Sequence, residues 1–352
     1  MTGALAAFLD GLASPGRAGL FGALAVALGW CGFGALAIRP SVLARLDQGW
    51  FLASDRDDYG ALSHEVLRLG QARWGERTAL LLGQSTARES VSSVQDLDRA
   101  AEEAAGGPVD TWELVADSLT VPEYDAILAA LPDRYRGVVA LIVSPTLFAN
   151  ANPRKMNALA GIERLELGWS SEARDRDLRE LGVDVPTRTG IYAVDVRPFL
   201  LARLAVPFER VVHGPATLRR DRWTTRTRGA LRKNAADLEQ AVHHYERDSP
   251  VGFRMLARAL DAFAARSDRV RFLLVEQTEA PERYREVMGR ARYAGYRSDI
   301  RTFADARPDT QFADLNGALL PEDFADLMHL ASPNAEYTRT LGAAIGSAIV
   351  AE

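Results

Sequence analysis

Lysine is almost absent from this 352-residue chain: of 42 basic residues, only Lys155 and Lys233 are not arginine. The bias accompanies abundant alanine and fits a GC-rich coding composition rather than selection for phosphate binding. With a formal net charge of −5, the chain lacks the positive excess on which general nucleic-acid affinity rests, and no nucleic-acid partner is expected. Cysteine is scarce as well. Cys31 stands alone, which excludes an internal disulfide and any cysteine-rich metal centre and leaves the redox compartment open. Internal repeats and low-complexity tracts are missing too. The rest is ordinary for a globular protein, 47% hydrophobic and 25% charged, and the length suffices for one large domain or two modest ones.

One stretch lacks charge altogether. Between Arg17 and Arg39 the chain reads AGLFGALAVALGWCGFGALAI, from Ala18 to Ile38. About 20 apolar residues at 1.5 Å each cross a hydrocarbon core; a signal-peptide core, of about 7–15 residues, is shorter. Small residues such as Ala35 and Ala37 would suit cleavage, and a buried soluble helix is the plain alternative. The run is apolar on every face, however, and precedes the folded part, which favours an uncleaved single-pass anchor. Asp10 opposes Arg17 on one side while Arg39 and Arg45 lie on the other, so the positive charges do not set its orientation.

The expected organisation is a tail over 1–17, the anchor over 18–38, a membrane-proximal connector over 39–76 and one domain over 77–352. Within the connector, Leu62, Val66 and Leu69 have helical spacing. Thr78–Leu82, closed by Gly83, reads as the first strand, with a helix or loop over Ser85–Val94 after it. Pro108–Ala116 is a candidate second strand, and Val121–Leu131 a helix with Pro122 in its first turn. Gly137–Val143 is a continuous apolar run suited to the middle of a parallel sheet. The alternation then lapses over about 151–265, too long for one crossover and read as a helical insertion. Strands return at Val270–Val275 and weakly at Asp299–Phe303, followed by helices over Leu320–Ala331 and Tyr337–Ile349. Strands alternating with helices give a three-layer α/β sheet.

Two places carry chemistry. The apolar run Leu80-Leu81-Leu82 ends in Gly83-Gln84-Ser85, a strand that delivers a serine to the edge of a sheet, where backbone N–H groups can hold an oxyanion. An ordinary helix N-cap is the plain alternative for Ser85. Near the other end stands Asp326-Leu327-Met328-His329. On one helical turn, residues three apart share a face. Asp326 can then fix the His329 tautomer and leave its other ring nitrogen for the serine proton. Other clusters read more plainly. His243, His244 and Glu246, and the run Arg219, Arg220, Arg222, Arg226, Arg228, Arg232 and Lys233, read as solvated faces rather than metal or polyanion sites. Phe199–Phe208 is apolar enough to graze a bilayer or to form insertion core.

In this order, Gly-x-Ser and the late Asp-x-x-His resemble the SGNH (GDSL-type) hydrolase family over about residues 78–145 and 268–350. Within it they are similar to the membrane-anchored branch that includes the D-alanyl transfer protein of teichoic acid synthesis and polysaccharide O-acetylation proteins. The resemblance implies a flavodoxin-like parallel sheet, with Ser85 as nucleophile, His329 as general base and Asp326 as its orienter. It implies no cofactor and no metal. It further implies a single-pass protein of the cell (inner) membrane whose domain faces the periplasmic or extracellular side. There it would take an acyl donor and a cell-envelope polysaccharide or other glycan acceptor, beside a membrane-bound O-acyltransferase or polysaccharide synthase.

The sequence departs from the family pattern in three places. Gln84 stands where Gly-Asp-Ser has its acid. No glycine occurs at Ala116-Asp117-Ser118, where an oxyanion donor is expected, and Ser144-Pro145-Thr146 replaces Gly-x-Asn-Asp. The oxyanion and binding residues are thus expected to be Ser85 and Ser118, with Asn150 and Asn152 the weaker candidates. The reading is a serine O-acyltransferase working through an acyl-serine. An esterase of the same fold, or a non-catalytic subunit that binds a glycan or a membrane partner, is the alternative.

Overall fold

The computed structural model describes residues 15–36, 41, 44–55, 57–149, 172–185, 206–218, 236, 239, 242–276, 281–324 and 329–351. Five strands form one sheet: β1 Thr78–Gly83, β2 Asp110–Val115, β3 Arg136–Val143, β4 Arg269–Glu276 and β5 Thr310–Asp314. Their order across the sheet is β2-β1-β3-β4-β5, and each neighbouring pair is parallel. The direction of the crossovers reverses between β1 and β3. In open parallel sheets of this order, the carboxyl edge at such a reversal is where ligands bind.

Alternation along the strands sorts side chains onto two faces. Leu80, Leu82, Val139, Leu141 and Leu274 belong to one buried cluster, while Ala79, Leu81, Val138, Ala140 and Leu273 belong to the other. On the first face lie helices α1 Asp58–Leu69, α2 Val121–Ala130, α3 Tyr245–Arg266 and α4 Arg290–Asp305. They contribute Leu62, Val66, Tyr124, Ile127, Leu256, Phe263, Tyr296 and Ile300 to the core. On the second face, the helices over Val94–Ala105 and Ala335–Val350 pack with Leu97, Ala101, Leu341 and Ile345 buried. The two helices approach closely enough that a Cβ on Gly346 would stand 2.3 Å from the Ala101 carbonyl oxygen. The result is the expected three-layer α/β sandwich.

Several expectations need correction. Asp299–Phe303 is not a strand but part of α4, whose Tyr293, Tyr296, Ile300 and Ala304 form one buried helical face. The last strand is instead Thr310–Asp314, a short edge strand with half-buried side chains. The described residues of Leu320–Ala331 are not α-helical. Pro321 opens a 3-10 turn over Pro321–Asp323, in which Asp323 Oδ2 accepts the Leu320 N–H at 2.7 Å. An antiparallel bridge then joins Phe324 to Leu330. Asp58–Leu69, inside the expected connector, is a layer helix with Leu62, Val66 and Leu69 in the main core. At the other end of the expected insertion, residues 245–265 lie in α3, which packs on α2 and leads into β4.

The uncharged N-terminal segment is covered by a helix over Pro15–Leu36. Its Leu20 and Val26 are 68% and 74% exposed. Several of its side chains lie outside the described residues, and among those described no helix is long and apolar enough to cross a membrane. The span expected over 18–38 therefore gains no support from the fold.

Candidate active site

β1 is buried along its whole length and ends at Gly83. A Cβ on Gly83 would sit 2.5 Å from the Ala87 Cβ and 3.2 Å from Ile142 Cγ1, so glycine is what lets the strand turn directly into a helix. That helix, Ser85–Ser90, is entered through Gln84 at the N-cap position in an extended conformation. Ser85 is thus the first helical residue rather than its cap. Its Oγ lies 3.3 Å from His329 Nε2 across 244 residues of sequence. The two side chains are 4% and 7% exposed.

His329 itself is not helical. The Phe324–Leu330 bridge adjoins it, and the Ala331 N–H donates to the Asp323 carbonyl at 2.8 Å. Asp326 itself lies outside the described residues, as do Asn150 and Asn152.

Ser118 follows β2 at the same edge of the sheet. Its φ of 55° is left-handed, a conformation that costs a non-glycine residue roughly 1–2 kcal/mol. The surrounding loop is held at every other residue. The Ala116 N–H donates to the Gly83 carbonyl at 3.3 Å, and the Asp117 N–H donates to Asp58 Oδ2 at 3.2 Å. The Tyr59 hydroxyl donates to the Asp117 carbonyl. Gln84 Nε2 donates to the Leu119 carbonyl at 2.6 Å. The Ser118 N–H meets no acceptor among the described residues.

Gln84, which reads in the sequence as a lost acid, is a buried tether. Its amide nitrogen fixes the Ser118 loop and its Oε1 accepts from Thr146 Oγ1 at 3.5 Å. Thr146 in turn shares a 2.8 Å hydrogen bond with Ser144. One side chain thus joins the ends of β1, β2 and β3. The residues Ser144-Pro145-Thr146 belong to this network rather than to a missing motif.

Two buried charged groups also carry no sequence signal. Arg88, three residues after Ser85, is buried and paired with Asp58 and, at 3.2 Å, with Glu89. Burial opposes the guanidinium charge, but the two acids hold its pKa above the usual arginine value. Glu276 closes β4, fully buried, with Arg297 Nε 3.1 Å from its Oε2. Burial raises its pKa against the pull of Arg297. No strand pattern announces such a residue, because it ends an apolar run as any polar residue would. Among the described residues no group of three or more histidines, cysteines or acids is placed to hold a metal, His243 and His244 included. The arginine-rich run 219–233 and residues 199–205 lie outside the described residues.

A cleft of about 400 Å³ opens along β2, lined by Glu65, Arg68, Trp112 and Glu113. Ser85 and His329 do not line it; Arg88 does. The chemistry available at the serine is proton transfer from Oγ to Nε2 and attack by the resulting alkoxide, in a place closed to bulk water. Comparison with known families adds no name to this arrangement: no family model matches the chain, and no curated protein is significantly similar to it.

Proposed function

We propose that the chain is an SGNH-like serine O-acyltransferase that passes an acyl group from Ser85 to a hydroxyl of a cell-envelope polysaccharide. One observation carries the reading: Ser85 Oγ and His329 Nε2 meet at 3.3 Å at the carboxyl edge of a parallel sheet ordered β2-β1-β3-β4-β5. His329 takes the Ser85 proton as Oγ adds to the donor's carbonyl carbon, and returns a proton to the leaving group as that bond breaks. In the second half, His329 deprotonates the acceptor hydroxyl, which attacks the acyl-serine and restores the free serine. Asp326 is the expected orienter of the imidazole. The backbone N–H groups of Ser85 and Ser118 are the expected oxyanion donors.

Transfer is favoured over hydrolysis by the burial of both reacting side chains, since a transferase must keep its acyl-enzyme from water until an alcohol is aligned. Placement at the cell membrane, beside a membrane-bound O-acyltransferase or polysaccharide synthase, is part of the proposal. It rests on the uncharged segment 18–38 and on the exposed Leu20, Leu24, Val26 and Leu28 of Pro15–Leu36. Labelling with a fluorophosphonate probe tests the nucleophile. The wild-type protein is expected to label at Ser85, Ser85→Ala to abolish labelling, and His329→Ala to slow it by about 10³-fold or more. Undiminished labelling of Ser85→Ala would place the nucleophile elsewhere. A wild-type protein that never labels would favour the glycan-binding subunit.

A further inference from the structure

The left-handed turn at Ser118 poses a question that the serine and histidine do not answer: what keeps a strained peptide in place beside the nucleophile? Strained residues persist where surrounding structure over-determines them, and they cluster at functional sites. Here the loop is fixed from β1 through Gly83 and Gln84, and from helix α1 through Asp58 and Tyr59. Asp58 is the unusual member. It is 2% exposed; one of its oxygens pairs with Arg88 and the other accepts the Asp117 N–H at 3.2 Å. Arg88 lies on the same short helix as Ser85. A single buried carboxylate therefore links the helix that carries the nucleophile to the peptide just before Ser118.

We propose that Asp58 is a positioning residue: its bridge between Arg88 and the Asp117 N–H holds the Ser118 peptide in the left-handed turn so that the Ser118 N–H serves as an oxyanion donor. The proposal rests on the acyl-transfer reading above and adds to it the device that sets the spacing between nucleophile and donor. Chemistry favours a carboxylate at position 58. A carboxylate offers one oxygen to the guanidinium and the other to the backbone N–H. Burial makes either group costly to leave alone. The alternative, that the ion pair only supports the fold, makes a different claim about rates.

Three variants separate these claims. Asp58→Leu combined with Arg88→Met, in a Glu89→Gln background so that no buried carboxylate loses its cation, removes the buried charges together and preserves side-chain bulk, a replacement that buried ion pairs commonly tolerate. It is expected to fold with a thermal midpoint near wild type yet to label with fluorophosphonate about 10- to 100-fold more slowly. For a small aryl ester, the loss should fall on kcat rather than KM. Asp58→Asn retains an oxygen for the Asp117 N–H and should recover much of the rate. Tyr59→Phe, a milder change should the double variant fail to fold, should slow labelling while lowering the midpoint only slightly. Faster amide hydrogen exchange at Asp117 is expected in both slowed variants. Wild-type rates in a folded double variant, or in Tyr59→Phe where the double variant does not fold, would overturn the positioning role while leaving Ser85 as nucleophile. A wild-type chain that does not label at Ser85 would overturn the acyl-transfer reading itself, and the positioning role with it.

Discussion

At the residue scale, the site is organised by what one amide can do that an acid cannot. Gln84 donates to the Leu119 carbonyl and accepts from Thr146; an ionised carboxylate has no proton to donate. Gln84→Glu should therefore set a buried negative charge against a carbonyl oxygen and release the Ser118 loop. The expected destabilisation is about 1–3 kcal/mol by denaturant titration, with slower probe labelling at Ser85. Unchanged stability would mean that the loop is held without Gln84. The serine and the histidine were legible because their chemistry has a sequence form, a strand ending in Gly-x-Ser and a late Asp-x-x-His. The tether was not. A glutamine in place of an acid reads only as a departure, and a serine gives no hint that it will occupy a glycine-like conformation. Asp58, Arg88 and Glu89 were equally silent, since a buried ion pair becomes visible only when the elements bearing it meet.

At the element scale, strands buried on both faces were read closely. Val139, Leu141 and Val143 face one layer and Val138, Ala140 and Ile142 the other, so both faces demand apolar side chains and the run is continuous. The edge strand Thr310–Asp314 and the turn and bridge flanking His329 were misread for the complementary reason. Their side chains are half exposed or held by turns and bridges, which leave no periodicity. A separate element interface supplies a pH-dependent prediction. Asp125 on α2 faces Asp177 of the helix over Glu172–Glu180, with Arg176 beside it and Arg258 reaching in from α3. Burial first, and the neighbouring Asp177 carboxyl second, push the Asp125 pKa up to about 7 from an ordinary 3.8. The folded protein thus keeps a proton that the unfolded chain has lost between these two values. The contribution of Asp125 to stability is greatest below the lower value and falls as pH rises towards 7. Asp125→Asn should flatten this dependence. The drop in thermal midpoint between pH 5 and pH 8 should be smaller in the variant, and an identical drop would remove Asp125 as its source.

At the scale of the whole molecule, the sheet sets where chemistry can occur and the N-terminal segment bears on where the molecule works. The strand order puts the ends of β1 and β3 beside each other at a reversal of crossovers, the geometry in which parallel sheets bind ligands. Ser85, Gln84, Ser144 and Thr146 all follow those two strands. The segment 18–38 makes a separate demand. An uncharged run of this length holds a protein to a bilayer by burying apolar surface, about 25 cal/mol for each Å². Charge pairing with headgroups would instead weaken with salt. If the segment spans the membrane as proposed, the full chain should stay in the membrane fraction through washes with high salt and alkaline carbonate. A chain lacking residues 1–40 should appear in the soluble fraction with its serine still reactive, because among the described residues the core of the sandwich, from α1 onward, includes none of the deleted ones. Release of the full chain by salt alone would rule out a span and leave attachment through surface charge. Release by carbonate but not by salt would point to the helix Pro15–Leu36 lying along the interface, its exposed Leu20, Val26 and Leu28 buried among the acyl chains.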